Sequence, residues 1–563
     1  MDIQLNKTVN NHPLDAVVIS NFGAGVEEGI KKSAIKNVEI FKQLFGCRGI
    51  HFHENFYTQM ELFNMARFEA LGLKDVKFES DEYWSSWKLP SLAGIILVDY
   101  LKKNDFKVKL INNMMGEQEN LKNLLRGNPL VVVLSTTFVL KMRDLSKMVN
   151  MVRLYNKDVP IIVGGKFIHN QKEIHGIKRA MEDLKEIDAQ YFIFSNQGED
   201  SLVKLINNLN ANSTLDDIPN LGYFDKEGNM IYNDIENPEL NINENIVDFD
   251  DSLKNYLHDN VIMRTSKGCP FKCAFCTYPA TAGKYTLMDI QNIKKQLHQL
   301  HNLGIKNIYF IDDTFNVPIN RFENLLDMMI EEKFEFNWYS FLRAQYISEE
   351  IAYKMKESGC KGVFLGMESA DNQILQGMNK DAKIEDYVKG IHLLNKYGIF
   401  SVGAFIIGFP GETEHSLQNT IKFIETSGIT FYFSQEFYYL HNAPIHKEKE
   451  RWKLKGEGLM WEHLTMNSNQ AFEHKVNMMA TIKNSVHIDP DMNLWQIGYL
   501  FSKDISLEDI KKMHIITNEM MIIDLKEGIN NENAIIKKDL LFNQLKDILG
   551  KYPPKNYNSE TIY

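Results

Sequence analysis

Three of the chain's five cysteines, Cys269, Cys273 and Cys276, fall within the nine-residue stretch GCPFKCAFC that starts at Gly268. Their spacing is C-x3-C-x2-C, with the aromatic Phe275 directly before the last. Three thiolates on one tight loop can hold three irons of a [4Fe–4S] cluster. Clusters held by cysteine ordinarily use four thiolates, so the fourth iron would be open to another ligand.

Two other readings of the cysteines fit less well. A structural zinc wants four ligands, usually as two paired hooks. Cys47 and Cys360 are distant, no second C-x2-C follows, and the pair His441 and His446 lies far down the chain. A structural disulfide does not suit a 563-residue chain so poor in cysteine. A low cysteine count suits a reducing cytoplasm, which an oxygen-sensitive cluster also needs. The net charge of −11 argues against a general nucleic-acid binder. No apolar run is long enough to span a membrane, and the first residues, MDIQLNKTVNN, lack an apolar signal core.

The loop needs a scaffold, and the residue pattern supplies one on both sides. From Val261 to His446, six short apolar runs alternate with helical segments. The strands are expected at Val261–Arg264, Ile308–Ile311, Asn337–Phe341, Gly362–Leu365, Ser401–Ile407 and Ile429–Glu436. Polar or glycine-rich residues follow them: the cysteine loop after the first, then Asp312 and Asp313, Arg343, Glu368, and Gly408 to Glu412. Six strand-helix units predict a partial (β/α)6 barrel, whose chemistry sits at the carboxyl ends of the strands. Upstream, runs at Asp15–Ser20, Phe106–Ile111, Leu130–Leu134, Val159–Val163 and Tyr191–Phe194 alternate with helices. This pattern predicts a doubly wound parallel sheet of Rossmann type. Ser135 and Thr136, Gly164 and Gly165, and Gly198 and Glu199 fall at its carboxyl edge, where such sheets bind ligands. The expected division is 1–212 for the Rossmann-like region and 213–260 for an acidic connector with a hairpin at Asp225–Gly228. The barrel takes 261–446 and a mostly helical cap 447–563.

The cysteine motif resembles the signature of the radical S-adenosylmethionine (SAM) enzymes. In that family the amino and carboxylate groups of SAM chelate the open iron, and an electron from the cluster cleaves the sulfonium. The resemblance places Phe275 near the adenine and Asp312 or Asp313 near the SAM amino group, with a helix N-cap pair as the alternative. Arg343 would pair with the SAM carboxylate, or else form a surface ion pair. Glu368 would meet the ribose. The stretch Gly408, Phe409, Pro410, Gly411, Glu412, Thr413 resembles the G-F-P-G-E-T of the cobalamin-binding subfamily and would lie along the adenine, although its glycines also suit plain turns.

The upstream sheet resembles the cobalamin-binding domain of that subfamily, with Ser135, Thr136, Gly164, Gly165, Gly198 and Glu199 against the corrin. The Asp-x-His-x-x-Gly motif that places a histidine under cobalt is absent from the sequence. Either cobalt has no histidine ligand or the domain carries no corrin; His169 is expected to be an ordinary surface or helix-start residue. Trp461, His463, Thr465 and Met466 resemble a segment of the methyltransferases of antibiotic biosynthesis, including phosphinate P-methylating and pyrrole C-methylating enzymes. Trp461 and His463 would face substrate there, or else pack internally. The resemblance implies a methyltransferase using a [4Fe–4S] cluster, SAM and cobalamin on an unactivated carbon or phosphinate phosphorus of a small-molecule or peptide substrate. It also implies an external one-electron reductant such as flavodoxin or ferredoxin. A non-methylating radical enzyme with the same cofactors, and an electron-transfer or iron–sulfur binding protein, are the alternatives.

Overall fold

The computed structural model describes residues 12–23, 49–74, 76–78, 80–225, 227–236, 241–488, 494–529 and 531–554. In chain order, β1 is Ala16–Asn21, and a small hairpin pairs β2 (Ile50–Phe52) with β3 (Asn55–Tyr57). Helices α1 (Gln59–Ala70) and α2 (Leu92–Lys103) follow, then β4 (Val108–Asn113), β5 (Val131–Ser135) and β6 (Ile161–Gly164). After β6 come α3 (Lys166–His175), β7 (Tyr191–Ile193) and α4 (Glu199–Ala211). The first sheet has the order β4-β1-β5-β6-β7 with all neighbours parallel. Its strands read as apolar runs because both faces are covered: every residue of β1 and β5 is buried.

The connector contains the expected hairpin at Asp225–Gly228. It adds two antiparallel strands, β8 (Leu221–Phe224) and β9 (Met230–Tyr232), to the edge of this sheet. Their turn holds because the Asp225 carboxylate accepts the backbone N–H of Glu227 and Asn229, and Gly228 takes φ +80°. Further on, Asp248 ion-pairs with Lys103 of α2 (3.2 Å) and with Lys295 of the barrel (2.6 Å). Val247, Phe249 and Leu253 are buried in the core shared by both sheets. The acidic segment is thus a staple between sheet and barrel.

The barrel strands are β10 (Asn260–Met263), β13 (Asn307–Phe310), β14 (Asn337–Leu342), β15 (Cys360–Glu368), β16 (Phe400–Ile407) and β17 (Phe431–Glu436), all parallel and in chain order. Between the first two, β11 (Ser266–Lys267) pairs antiparallel with β12 (Thr286–Leu287). A further two-residue strand, β20 (Val486–His487), extends the edge beyond β17. It lies outside the six expected units.

The cap holds a hairpin of β18 (Lys455–Glu457) and β19 (Met460–Glu462), then α5 (Ser468–Thr481), α6 (Leu494–Phe501), α7 (Leu507–Glu527) and α8 (Glu532–Leu549). Leu494, Ile497 and Leu500 of α6 share a buried cluster with Tyr309, Tyr339, Phe400 and Phe431 of the barrel. The same cluster contains Ile50, Phe52, Met60 and Phe63, so β2 and α1 pack with the cap rather than with the first sheet. A buried ion pair fixes that union: Lys538 meets Asp524 at 2.5 Å and donates to the His51 carbonyl, while the His51 N–H donates to Asp524. The cap is therefore built from both ends of the described chain, and the expected boundary at 212 does not separate them.

Candidate functional site

The cysteine loop hangs between β11 and β12, and its base is locked by Asp312 at the end of β13. That fully buried carboxylate accepts the Thr265 N–H (2.9 Å), the Thr265 hydroxyl (3.1 Å) and the Ser266 hydroxyl (2.6 Å). Burial pushes its pKa up, while these bonds and the nearby Arg321 pull against that shift. Asp312 is thereby committed to positioning the loop. Neither aspartate caps the next helix, which starts at Ile319 with Pro318 at its N-cap. Asp313 is exposed within the concave mouth, bonded to the Tyr278 side chain, and desolvation by the surrounding walls raises it to about 6.

The loop's far side is held by the segment that follows the helix 372–377 and by the 3-10 turn at 444–448. The Ala274 N–H donates to Met378 O, the Ile445 N–H donates to Ala274 O, and Asn379 donates to Lys272 O. Gly268 has φ +83°, and a Cβ there would come within 3.1 Å of Tyr285 Cα, so the glycine is sterically required. Cys273 is buried and Cys269 and Cys276 half-buried, all as free thiols. Burial pushes the Cys269 and Cys276 thiols up, and the other loop sulfurs add to the effect. No group of three His, Cys, Asp or Glu among the described residues converges as ligands of one metal ion. A cluster places each thiolate on a separate iron, so three spaced sulfurs on a fixed loop fit it and do not fit zinc.

Arg343 is buried beside this loop rather than in a surface ion pair. It donates to Lys380 O (2.7 Å) and toward Cys273 Sγ (3.5 Å), and its guanidinium lies 3.3 Å from the Phe271 ring centroid. Glu368, at φ +69° on an irregular stretch of β15, pairs with Lys380 at 2.8 Å. Phe275 is half-buried and packs on the main core.

The Gly408–Glu412 turn is braced from the cap. Glu412 is fully buried and accepts the Gly408 N–H at 2.5 Å. Its other oxygen has no partner, and burial pushes its pKa up to about 8. A Cβ on Gly408 would fall 2.3 Å from Trp461, and one on Gly411 2.7 Å from Trp452. Trp461 donates to Phe437 O (2.6 Å), and its ring stacks on His463 at 5.0 Å. His463 in turn hydrogen-bonds Gly408 O through Nε2 (2.9 Å). Trp461 and His463 are 3% and 8% exposed. The contacts of both side chains are thus with the Gly408 turn and with Phe437.

The carboxyl edge of the first sheet faces the barrel across a cavity of about 690 Å³. Ser135, Gly164, Gly165, Gly198 and Glu199 line it. Thr136 does not: its hydroxyl and its N–H both donate to Gly164 O at 2.8 Å, clipping β5 to β6. Gly165 needs its φ of +102°, and a Cβ on Gly198 would lie 2.6 Å from Ile193, whereas one on Gly164 meets nothing closer than 3.6 Å. Gly164 is therefore open floor, free for a large ligand. Among the described residues, no histidine lines the cavity. His169 is buried in the first turns of α3, not on the surface, and burial lowers it to about 4. The sequence reading missed Trp87, Phe138 and Trp495, which form an aromatic rim, and Arg264 and Tyr278, which flank the cysteine loop. Arg264 and Tyr278 were legible by position, one directly following a barrel strand and the other following Cys276 by two residues. Trp495 comes from the cap and carries no local signal.

A sequence model of the radical SAM superfamily matches residues 263–424, from the end of β10 past the Gly408 turn. Residues 263–424 are a radical SAM domain. An uncharacterized methyltransferase of Pyrococcus horikoshii is 28% identical over 349 residues, 60% of this chain and 74% of that one. The bacteriochlorophyllide d C-12(1)-methyltransferase of Chlorobaculum tepidum is 33% identical over 173 residues, 30% of this chain and 37% of the relative. The fold is shared with the cobalamin-dependent radical enzyme OxsB, with a TM-score of 0.56 at 15% identity over 96% of this chain and 85% of OxsB. It is also shared with the radical SAM methyltransferase TsrM of Kitasatospora setae, with a TM-score of 0.51 at 16% identity over 64% and 72%. No helix among the described residues is long and apolar enough to cross a membrane.

Proposed function

We propose that this chain is a cobalamin-dependent radical SAM methyltransferase acting on an unactivated carbon or a phosphinate phosphorus of a small natural-product or peptide substrate. The observation that carries the reading is the cavity between the two parallel sheets: glycine floor on one side, cysteine loop flank on the other. The OxsB and TsrM structures were determined with cobalamin bound, and the methyltransferase relatives support the reaction type.

When bound, the cluster would supply the electron for cleavage of SAM, and cobalamin a transferable methyl group. Cys269, Cys273 and Cys276 would hold the cluster, with the Arg343 guanidinium as a positive neighbour to the Cys273 sulfur. Asp313, free of Asp312's structural duty, would receive the SAM ammonium. The bonds from Glu412 and His463 hold the Gly408 turn in place along the mouth. Ser135, Gly164, Gly165 and Gly198 let a broad, flat group approach the backbone. Ile262, Ile311 and Trp495 keep the facing wall apolar and limit water. An external one-electron donor of flavodoxin or ferredoxin type and a reducing cytoplasm belong to the same reading.

The test is anaerobic reconstitution with iron, sulfide, excess cobalamin and SAM, followed by optical spectra and mass spectrometry. The expected result is stoichiometric cluster and cobalamin, and on reduction both 5′-deoxyadenosine and S-adenosylhomocysteine. Cluster and 5′-deoxyadenosine without retained cobalamin would move the assignment to a non-methylating radical enzyme.

A further inference from the structure

Beside the large cavity lies a second, of about 160 Å³, that shares Arg264, Lys267 and Glu199 with it. The two spaces meet at these side chains together with Leu92, Ile96 and Asn196. Arg264 directly follows β10, Lys267 lies in β11 two residues before Cys269, and Glu199 opens α4 on the wall of the first sheet. Among the described residues, neither the Arg264 guanidinium nor the Lys267 ammonium makes a hydrogen bond or ion pair. Glu199 and Gln296 also line the small space, and each carries a buried side-chain oxygen without a partner, Oε2 and Oε1 respectively. Gln296 is 3% exposed, and its amide nitrogen is already spent on Val247 O at 2.9 Å, which fixes its oxygen as the free end. Half-buried cations and buried acceptors left unpaired are costly, so this set points to a small ligand group bearing both an anion and N–H donors.

We infer that the small pocket binds the carboxylate and amine of an α-amino acid substrate, with Arg264 and Lys267 on the carboxylate and Glu199 and Gln296 on the amine. The side chain then runs past Leu92 and Ile96, which line both spaces, toward the part of the large cavity that cobalamin leaves open. Two cations match a carboxylate, with Arg able to engage it bidentately. A space of 160 Å³ admits a head group and little more, which separates it from the side chain's apolar surroundings. The inference rests on the methyltransferase reading and narrows its substrate class. Cobalamin offers a rival anion in its nucleotide-loop phosphate, and the SAM head group offers another.

The test uses the reconstituted holoprotein and isothermal titration with three probes of common side chain: L-phenylalanine, N-acetyl-L-phenylalanine and L-phenylalaninamide. Wild type is expected to bind the free amino acid at least tenfold more tightly than either blocked form. Arg264→Gln and Lys267→Gln should each erase the advantage over the amide, and Glu199→Gln the advantage over the N-acetyl form. Lys267→Arg, which keeps charge and fold, should retain the preference and guards against a merely unfolded variant. Equal affinity for the three probes, or none for any, would overturn the inference. So would loss of cobalamin but not cobinamide retention in Arg264→Gln, which would give the cations to the nucleotide-loop phosphate. Weakened SAM binding in Lys267→Gln would equally overturn it by returning that residue to the cofactor. A protein that retains no cluster or no cobalamin counts against the methyltransferase reading itself, whichever probe it binds.

Discussion

The carboxyl edge of the first sheet and the carboxyl edge of the barrel are built on opposite plans. The first sheet presents Ser135, Gly164, Gly165 and Gly198, with its one hydroxyl clip, Thr136, turned back onto the backbone. The barrel edge presents Asp312, Arg343, the Glu368–Lys380 pair and Glu412, each buried or largely so and tied to a neighbour. One edge offers shape, for a ligand held by area and close backbone approach. The other offers charges and thiols held rigidly, for groups that must be ligated at fixed positions. A site that assembles two large cofactors needs both.

Substitutions should break the two edges independently. The largest effect is expected from Cys273→Ala, which removes one iron's thiolate and should abolish the visible absorption of the cluster and SAM cleavage, with cobalamin retention kept. Cys360→Ala, at a buried strand start away from the loop, should leave cluster content unchanged. Gly164→Trp should do the reverse of Cys273→Ala: an indole on the open floor fills the space, so cobalamin is lost on gel filtration while iron content stays. A Gly164→Trp protein that keeps its cobalamin would show that this floor is not the binding face.

A smaller effect tests the brace. Trp461→Ala should lower unfolding free energy by about 3 kcal/mol, from lost burial and an orphaned Phe437 carbonyl, read by denaturant titration. It should also weaken SAM binding through the Gly408 turn, with cobalamin retention unaffected.

The smallest concerns Glu412. Its folded pKa, raised to about 8 from an ordinary 4.5, means the native protein keeps a proton that the unfolded chain releases. Stability should therefore fall as pH rises from about 4.5 through 8, by on the order of 1 kcal/mol or more. Glu412→Gln keeps the Gly408 bond and should flatten that slope. An unchanged slope in the variant would place the titration elsewhere.

Both sheets were legible in the sequence because parallel strands covered on two faces leave continuous apolar runs, such as the Val-Val-Val-Leu of β5. The cysteine loop and the Gly408 turn were legible because their chemistry is local. What could not be read were partnerships across hundreds of residues. His51 and Lys538 join the two ends into one cap, and α6 reaches the barrel aromatics, through packing that leaves no periodic trace. The strand β20 is too short to show a pattern. Asp312 and Asp313 are adjacent and identical in type, yet one is consumed by Thr265 and Ser266 while the other stands open in the mouth. Only tertiary structure separates them. The same holds for Trp461, whose neighbours in sequence do not reveal that it sits under Gly408.

The central claim is that cluster and cobalamin face one another across a single cavity. Pulsed electron paramagnetic resonance of the doubly loaded protein, with the cluster reduced and cobalamin held as cob(II)alamin, tests it most directly. The account predicts a strong magnetic interaction between the two spins, and a cobalt spectrum without nitrogen superhyperfine splitting, since no histidine among the described residues lines the cavity. Two independent, uncoupled spectra, or a nitrogen triplet that vanishes in His169→Ala, would contradict it.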